Sequence, residues 1–101
     1  MPLEGSDLLE AASVWIANMQ RGDGPSLLSE IEESPADRDP RSIRWILEGS
    51  EKMGQVILWT DGQAELDLVD AESGDVRSEH AQIEDREGME RALRIVRDWV
   101  L

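Results

Sequence analysis

The sequence predicts an α+β domain in two layers, in which an N-terminal and a C-terminal helix pack on one face of a four-stranded antiparallel sheet. Three observations support this prediction. Apolar residues recur at helical spacing near both ends of the chain, apolar and polar residues alternate in its middle, and turn-forming residues separate the segments. With 101 residues and 40% apolar content, residues 1–101 are expected to form a single globular domain.

The two helices are predicted from apolar stripes. Ser6 can cap the first helix and Gly22 can end it, so we expect this helix over about residues 7–21. Asp85 can cap the last helix. The stripes consist of Leu8, Ala12, Trp15, Ile16 and Met19 in the first helix, and of Met89, Ala92, Leu93, Val96, Trp99 and Val100 in the last.

The segment "GPSLLSEIEESP" is compatible with a second, short helix. Pro25 suits a first helical turn, and Leu27, Leu28 and Ile31 could form a stripe. The following "ESPADRDPR" is polar and contains two prolines, which indicates a loop.

Four segments are predicted as strands: "SIRWILEG", "QVILWT", "AELDLVD" and "VRSEHAQI". The second is apolar on both faces and is therefore expected at the centre of the sheet. The last is polar, which suits an edge strand. "EKMG" is expected to be a turn, Asp61–Gly62 predicts a tight type I′ hairpin, and Gly74 can take the left-handed position of the next turn.

The face of the sheet away from the helices is expected to be open to solvent or to a partner. The alternation predicts that Glu65, Asp67 and Glu79 lie on this face around an apolar spot formed by Ile57 and Trp59. Trp15, Trp45 and Trp99 are expected in the core, whereas the strand of Trp59 leaves open whether that side chain is exposed.

The formal charge of −13 favours a basic partner. Residues 61–90 hold eleven acidic residues against Arg77 and Arg86, a net charge of −9. Such a field repels nucleic acid and anionic membranes and attracts cationic partners, so neither direct nucleic-acid binding nor membrane binding is expected. Solubility or adaptation to salt is an equally open explanation.

A cytoplasmic location is expected. The chain has no cysteine, which excludes disulfides and thiolate chemistry and fits a reducing compartment. The N-terminus shows no signal-peptide pattern, and no apolar run is long enough to span a membrane.

No catalytic, metal-binding or cofactor-binding arrangement is recognised, and we expect no enzyme activity. His80 is the only histidine, and no nucleophile stands at a catalytic spacing from it. "DAESGD" lacks the ligand offsets of a calcium loop and is expected to be a hairpin turn. Glu65 and Asp67 could form a carboxylate pair for acid/base chemistry, but they are expected on an exposed strand face, which favours solvated acids or acids that meet a basic partner.

"GQVILWTDGQAELDLVDAESGDV" and "EDREGMERALRIVRDWVL" together resemble the small immunity proteins of bacterial polymorphic toxin systems, specifically the TriTu-type immunity proteins. The resemblance covers residues 55–101: a Trp-containing strand, a hairpin with alternating acids, a glycine turn and a closing helix that ends in Trp-Val. It implies an inhibitor that binds a cognate toxin domain stoichiometrically inside the producing cell.

We therefore predict an immunity protein that neutralises a cognate, basic toxin. The alternative is a small acidic secretion chaperone, which would dimerise and bind an effector segment, and a small enzyme or ligand-binding domain is a third option. The oligomeric state stays open, with a monomer favoured. The predicted partner-binding residues are Trp59, Glu65, Asp67 and Glu79 on the open face, with Asp70 and Glu72 at its rim.

Overall fold

The computed structural model describes residues 5–23, 28–34 and 41–100. These residues contain five strands, which form one antiparallel sheet in the order in which they follow along the chain, and the prediction of an α+β fold is confirmed. The elements are α1 (Gly5–Asp23), β1 (Leu28–Glu33), β2 (Ser42–Glu48), β3 (Lys52–Trp59), β4 (Gln63–Asp70), β5 (Val76–Gln82) and α2 (Arg86–Val100).

The sheet has one strand more than the sequence predicted. Residues 28–33, assigned above to a short helix, form β1 and pair with β2, so that prediction is wrong. A helix of this length would be marginal on its own, whereas pairing with β2 supplies partners for the backbone groups. The indole Nε1 of Trp45 also donates a hydrogen bond to Ser29 Oγ at 2.8 Å, which ties β1 to the core side of the sheet. Pro25, Leu27 and most of the predicted loop, residues 35–40, lie outside the described residues.

Both helices cover the same face of the sheet, as predicted. α2 begins after Asp85, whose Oδ1 accepts a hydrogen bond from the backbone N–H of Gly88 at 2.8 Å, which confirms the predicted cap. Within the described residues, neither helix is long and apolar enough to cross a membrane. The core side chains come from alternate positions of β2, β3 and β4, from one stripe on each helix and from the connection before α2: Ile43, Trp45, Leu47, Val56, Leu58, Ala64, Leu66 and Leu68 on the strands, Leu8, Leu9, Ala12, Ile16, Met89, Ala92, Leu93, Val96 and Val100 on the helices, and Ile83 in the connection.

Three tryptophans join the layers; the predicted core role is confirmed for Trp45, whereas Trp15 and Trp99 are half-buried and pack against the core. Trp45 is fully buried and meets the half-buried Trp15 edge to face, with ring centroids 5.9 Å apart. Trp99 is also half-buried, and its Nε1 donates to the Val69 carbonyl at 3.1 Å while Lys52 Nζ lies 4.4 Å from its ring centroid. These contacts hold both helices to the sheet.

The two hairpin turns of β3–β5 differ in how well they were predicted. Asp61 does not adopt a positive φ, so the type I′ turn is wrong. Instead, residues 60–62 form a three-residue loop in which Gly62, at φ +91°, donates its N–H to the Trp59 carbonyl at 3.0 Å. Gly74 has φ +79°, which confirms its predicted left-handed conformation.

Replacing Gly54 with alanine is expected to lower the free energy of unfolding by about 1–3 kcal/mol, the usual range for overpacking a core. Gly54 lies where β3 passes beneath α2, and a Cβ there would stand 2.8 Å from Val96 Cγ1. Urea unfolding measures the change. In a double-mutant cycle, Val96→Ala should relieve part of the cost of Gly54→Ala, and strictly additive effects would contradict the proposed contact.

Candidate functional site

The candidate site is the face of the sheet opposite the helices, here called the open face. Side chains directly opposite each other on paired strands point to the same side, so the strand register fixes its membership. None of these side chains belongs to the buried core. The described members are Glu30 and Glu32 (β1), Ser42, Arg44, Ile46 and Glu48 (β2), Met53, Gln55, Ile57 and Trp59 (β3), Gln63, Glu65, Asp67 and Val69 (β4), and Val76, Ser78, His80 and Gln82 (β5).

The open face is acidic. Among its described residues, Arg44 is the one lysine or arginine, and it pairs with Glu32 through an Nη1–Oε2 distance of 3.4 Å between largely exposed side chains. An exposed pair of this kind contributes about 0–1 kcal/mol and cancels one negative charge. Four carboxylates on the face have no ion pair with a base among the described residues: Glu30, Glu48, Glu65 and Asp67.

Asp67 is the most firmly held of these carboxylates. Its Oδ2 accepts a hydrogen bond from Gln55 Nε2 at 2.6 Å, and its Oδ1 accepts one from Ser78 Oγ at 2.7 Å. The two donors stand on the neighbouring strands, one on each side of β4. Because hydrogen bonds to ionised groups are short and strong, they fix the plane of the half-buried carboxylate.

An apolar groove of about 320 Å³ begins beside Asp67. Its apolar walls are Ile46, Met53, Val69 and Val76, and Gln55 and Asp67 form its polar edge. The groove therefore places a fixed negative charge at the margin of an uncovered apolar surface.

A comparison with models of protein families identifies the family of this chain. The sequence model described as "Immunity protein TriTu" matches residues 13–99. The chain belongs to the TriTu immunity protein family. The match confirms the resemblance noted above and extends it through β1 and most of α1. Comparisons with curated proteins and with solved structures found no match. An immunity family implies a toxin as the partner.

In this TriTu chain, Glu65 lies on the open face as predicted. It stands between Ile57 on β3 and His80 on β5, is half-buried, and has no hydrogen bond or ion pair within the described residues. His80 is exposed, and its Nε2 lies 3.2 Å from Gln63 Oε1. The histidine therefore has the surface role expected from the sequence.

Trp59 is half-buried on the open face, which settles the question that the sequence left open. Trp59 is the last residue of β3, whereas Met53 lies near the start of the same strand. Six residues of extended chain therefore separate them by about 20 Å. Trp59 and the apolar groove are therefore separate apolar surfaces at the two ends of one acidic face.

Glu79 does not lie on the open face, so that part of the prediction is wrong. It stands opposite Leu66, whose side chain is in the core, and therefore points to the helix side of the sheet. Ser78 and His80 occupy the open-face positions of β5 instead. The polar sequence of β5 has no apolar alternation from which its orientation could be read, and at this edge Glu79 remains exposed.

Asp70 is the last residue of β4, and Glu72 lies in the turn that follows, at the groove end of the sheet. Asp70 pairs with Lys52 and therefore points to the helix side, so its predicted place at the rim of the open face is wrong. Asp70 Oδ1 accepts hydrogen bonds from the backbone N–H groups of Glu72 and Ser73, at 3.0 and 3.3 Å, so this carboxylate shapes the turn. The Glu72 side chain is exposed. "DAESGD" is thus a hairpin turn, and the described residues contain no group of three or more His, Asp or Glu placed to hold a metal.

Sequence reasoning missed several residues of the open face. Glu30 and Glu32 were hidden by the assignment of a helix, although the alternation in "SEIEE" is a strand signal that could have revealed them. Met53 was assigned to a turn and in fact lines the groove.

Replacing Asp70 tests its structural role. We expect Asp70→Ala to lower the free energy of unfolding by about 1 kcal/mol, because two backbone N–H groups lose their acceptor. Asp70→Asn keeps an acceptor oxygen and should stay close to wild type in chemical denaturation. Equal losses in the two variants would show that the charge, and not the turn geometry, matters.

Proposed function

We propose that this protein is a stoichiometric immunity protein that binds and neutralises a cognate toxin domain of basic character through the open face. Family membership supplies the class of function. The observation that carries the proposed surface is the acidity of the open face, where four carboxylates lack a cationic partner among the described residues. A positively charged toxin surface would supply the missing partners.

Electrostatics and apolar contact have separate roles in this proposal. The negative field speeds the encounter with a basic surface and orients it, which raises the association rate more than the final affinity. The groove and the Ile57–Trp59 surface then exclude water and slow dissociation, as apolar interface centres do. The protein acts by covering the toxin's active site or substrate groove and has no catalytic role of its own.

The basic character of the toxin follows from charge complementarity. Enzymes that cleave or modify nucleic acid carry positive surfaces to hold phosphates. An inhibitor with a charge of −13 could occupy such a surface directly. We place this interaction in the cytoplasm of the producing cell, where the toxin would otherwise act.

Reversing charge on the open face should weaken toxin binding. For Glu65→Lys/Asp67→Lys we expect Kd for the toxin domain encoded by the neighbouring gene to rise at least about 30-fold, chiefly by slower association at low salt. Surface plasmon resonance at several salt concentrations measures both rates. Cells that carry this variant should lose protection against the toxin.

A matched control separates location from net charge. Glu10→Lys/Glu84→Lys changes the charge by the same amount at two exposed acids, one on α1 and one just before α2, which like Glu65 and Asp67 have no ion pair within the described residues. The control should bind almost as wild type does. If both variants lose the same affinity, net charge matters and the open face is not the binding surface.

Sedimentation distinguishes the proposal from a secretion chaperone. We expect a monomer at micromolar concentration, because strong self-repulsion disfavours association, and a 1:1 complex when the toxin is added. A tight obligate dimer that binds an unfolded effector segment would favour the chaperone.

A further inference from the structure

We propose that the apolar groove and Asp67 together form a subsite for an arginine side chain of the toxin. This inference rests on the proposed function and names the chemical group that the open face recognises. Arginine combines an apolar stem with a planar cation, and the groove and the carboxylate offer a surface for each part.

The groove supplies the apolar half of the subsite. Its walls, Ile46, Met53, Val69 and Val76, come from four adjacent strands. Val76 is 65% exposed, more than any other large hydrophobic residue described. Covering these side chains with the methylene groups of an arginine would remove apolar surface from water on both partners.

Asp67 supplies the charged half. Each of its oxygens already accepts one hydrogen bond within the sheet, and each retains further lone-pair capacity. Because Gln55 and Ser78 hold the carboxylate plane fixed, two parallel N–H···O bonds can form with little loss of side-chain entropy. A guanidinium matches this geometry through its rigid fork, whereas the ammonium group of lysine is a point charge.

No described base of this chain pairs with Asp67, so the subsite can take a cation from a partner. Lys52 lies on the helix side of the sheet, over the Trp99 ring. Arg77 stands opposite Leu68 and therefore also points to the helix side. Arg44 is on the open face, but it pairs with Glu32 on the edge strand, and β3 separates it from Asp67.

Glu65 provides the matched control. It carries the same charge on the same face of the same strand, two residues from Asp67 and also half-buried. It does not line the groove, and no hydrogen bond fixes its carboxylate within the described residues. Long-range attraction should therefore be similar for the two acids, and only Asp67 should make the directional contact.

The first experiment compares Asp67→Asn with Glu65→Gln by isothermal titration calorimetry against the toxin domain encoded by the neighbouring gene. We expect Asp67→Asn to weaken binding at least about 30-fold, as removal of one partner of a buried charge pair does. Glu65→Gln should weaken it only a few-fold. Asparagine can accept from Gln55 through its Oδ1 and donate from its Nδ2 to Ser78 Oγ, which can act as an acceptor, so Asp67→Asn should unfold at the same urea concentration as wild type.

The second experiment identifies the partner group. Each surface arginine of the toxin is replaced by lysine and titrated against wild type and Asp67→Asn. One replacement should weaken binding to wild type at least about tenfold and leave binding to Asp67→Asn almost unchanged, because the coupled pair is already broken.

The third experiment tests the groove with an isosteric change. Val76→Thr replaces a methyl group by a hydroxyl group at the groove wall, and we expect binding to weaken about threefold or more. Val14→Thr is the control, since Val14 is 51% exposed on α1, and this variant should bind as wild type does.

The outcomes separate the two proposals. If wild type binds and protects but Asp67→Asn weakens binding no more than Glu65→Gln, the arginine subsite is refuted and the immunity function stands. The subsite is also refuted if no arginine replacement couples to Asp67. If wild type neither binds the toxin nor protects against it, the proposed function fails and the subsite fails with it.

Discussion

The register of the five antiparallel strands is the constraint on which the rest of the structure depends. In β2, β3 and β4 it assigns alternate residues to the helix-covered core and to the open face, so these strands contribute one half of their side chains to the core and present the other half away from the helices. A shift of one residue in β4 would put Glu65 and Asp67 under α2 and bring Leu66 to the surface. The buried cluster therefore fixes where the charges stand, because no such shift is compatible with the packing of Leu66 and Leu68.

The same arrangement explains how the chain carries its charge. The described ion pairs are few and lie mostly on the surface of α2, so most of the acidity remains available. Mutual repulsion among the carboxylates opposes compaction, and the apolar core must offset it. On the open face, Asp67 is held by neutral donors in place of a cation. Hydrogen bonding of this kind orients a carboxylate while leaving its charge intact.

Much of the fold was readable from the sequence because its signals were local. The α2 stripe, the Asp85 cap and the alternation of β4 each specify one structure within a few residues. β1 was misassigned because Leu27, Leu28 and Ile31 imitate a helical stripe, while the pairing that decides the matter comes from β2, farther along the chain. Glu79 was misplaced for a similar reason, since the orientation of β5 is determined by its neighbour. The groove could not be predicted because it gathers side chains from four strands.

Trp59 has an optical consequence. The chain contains four tryptophans and neither tyrosine nor phenylalanine, so its near-ultraviolet emission comes from indole rings alone. Trp15, Trp45 and Trp99 pack in or against the core, and Trp59 is the one that faces outward from the uncovered side of the sheet. A change in polarity around the Trp59 ring would shift the emission spectrum of the protein, while the environment of the other three rings stays constant. Trp59 is thus an intrinsic fluorophore on the surface where we propose that a second protein binds.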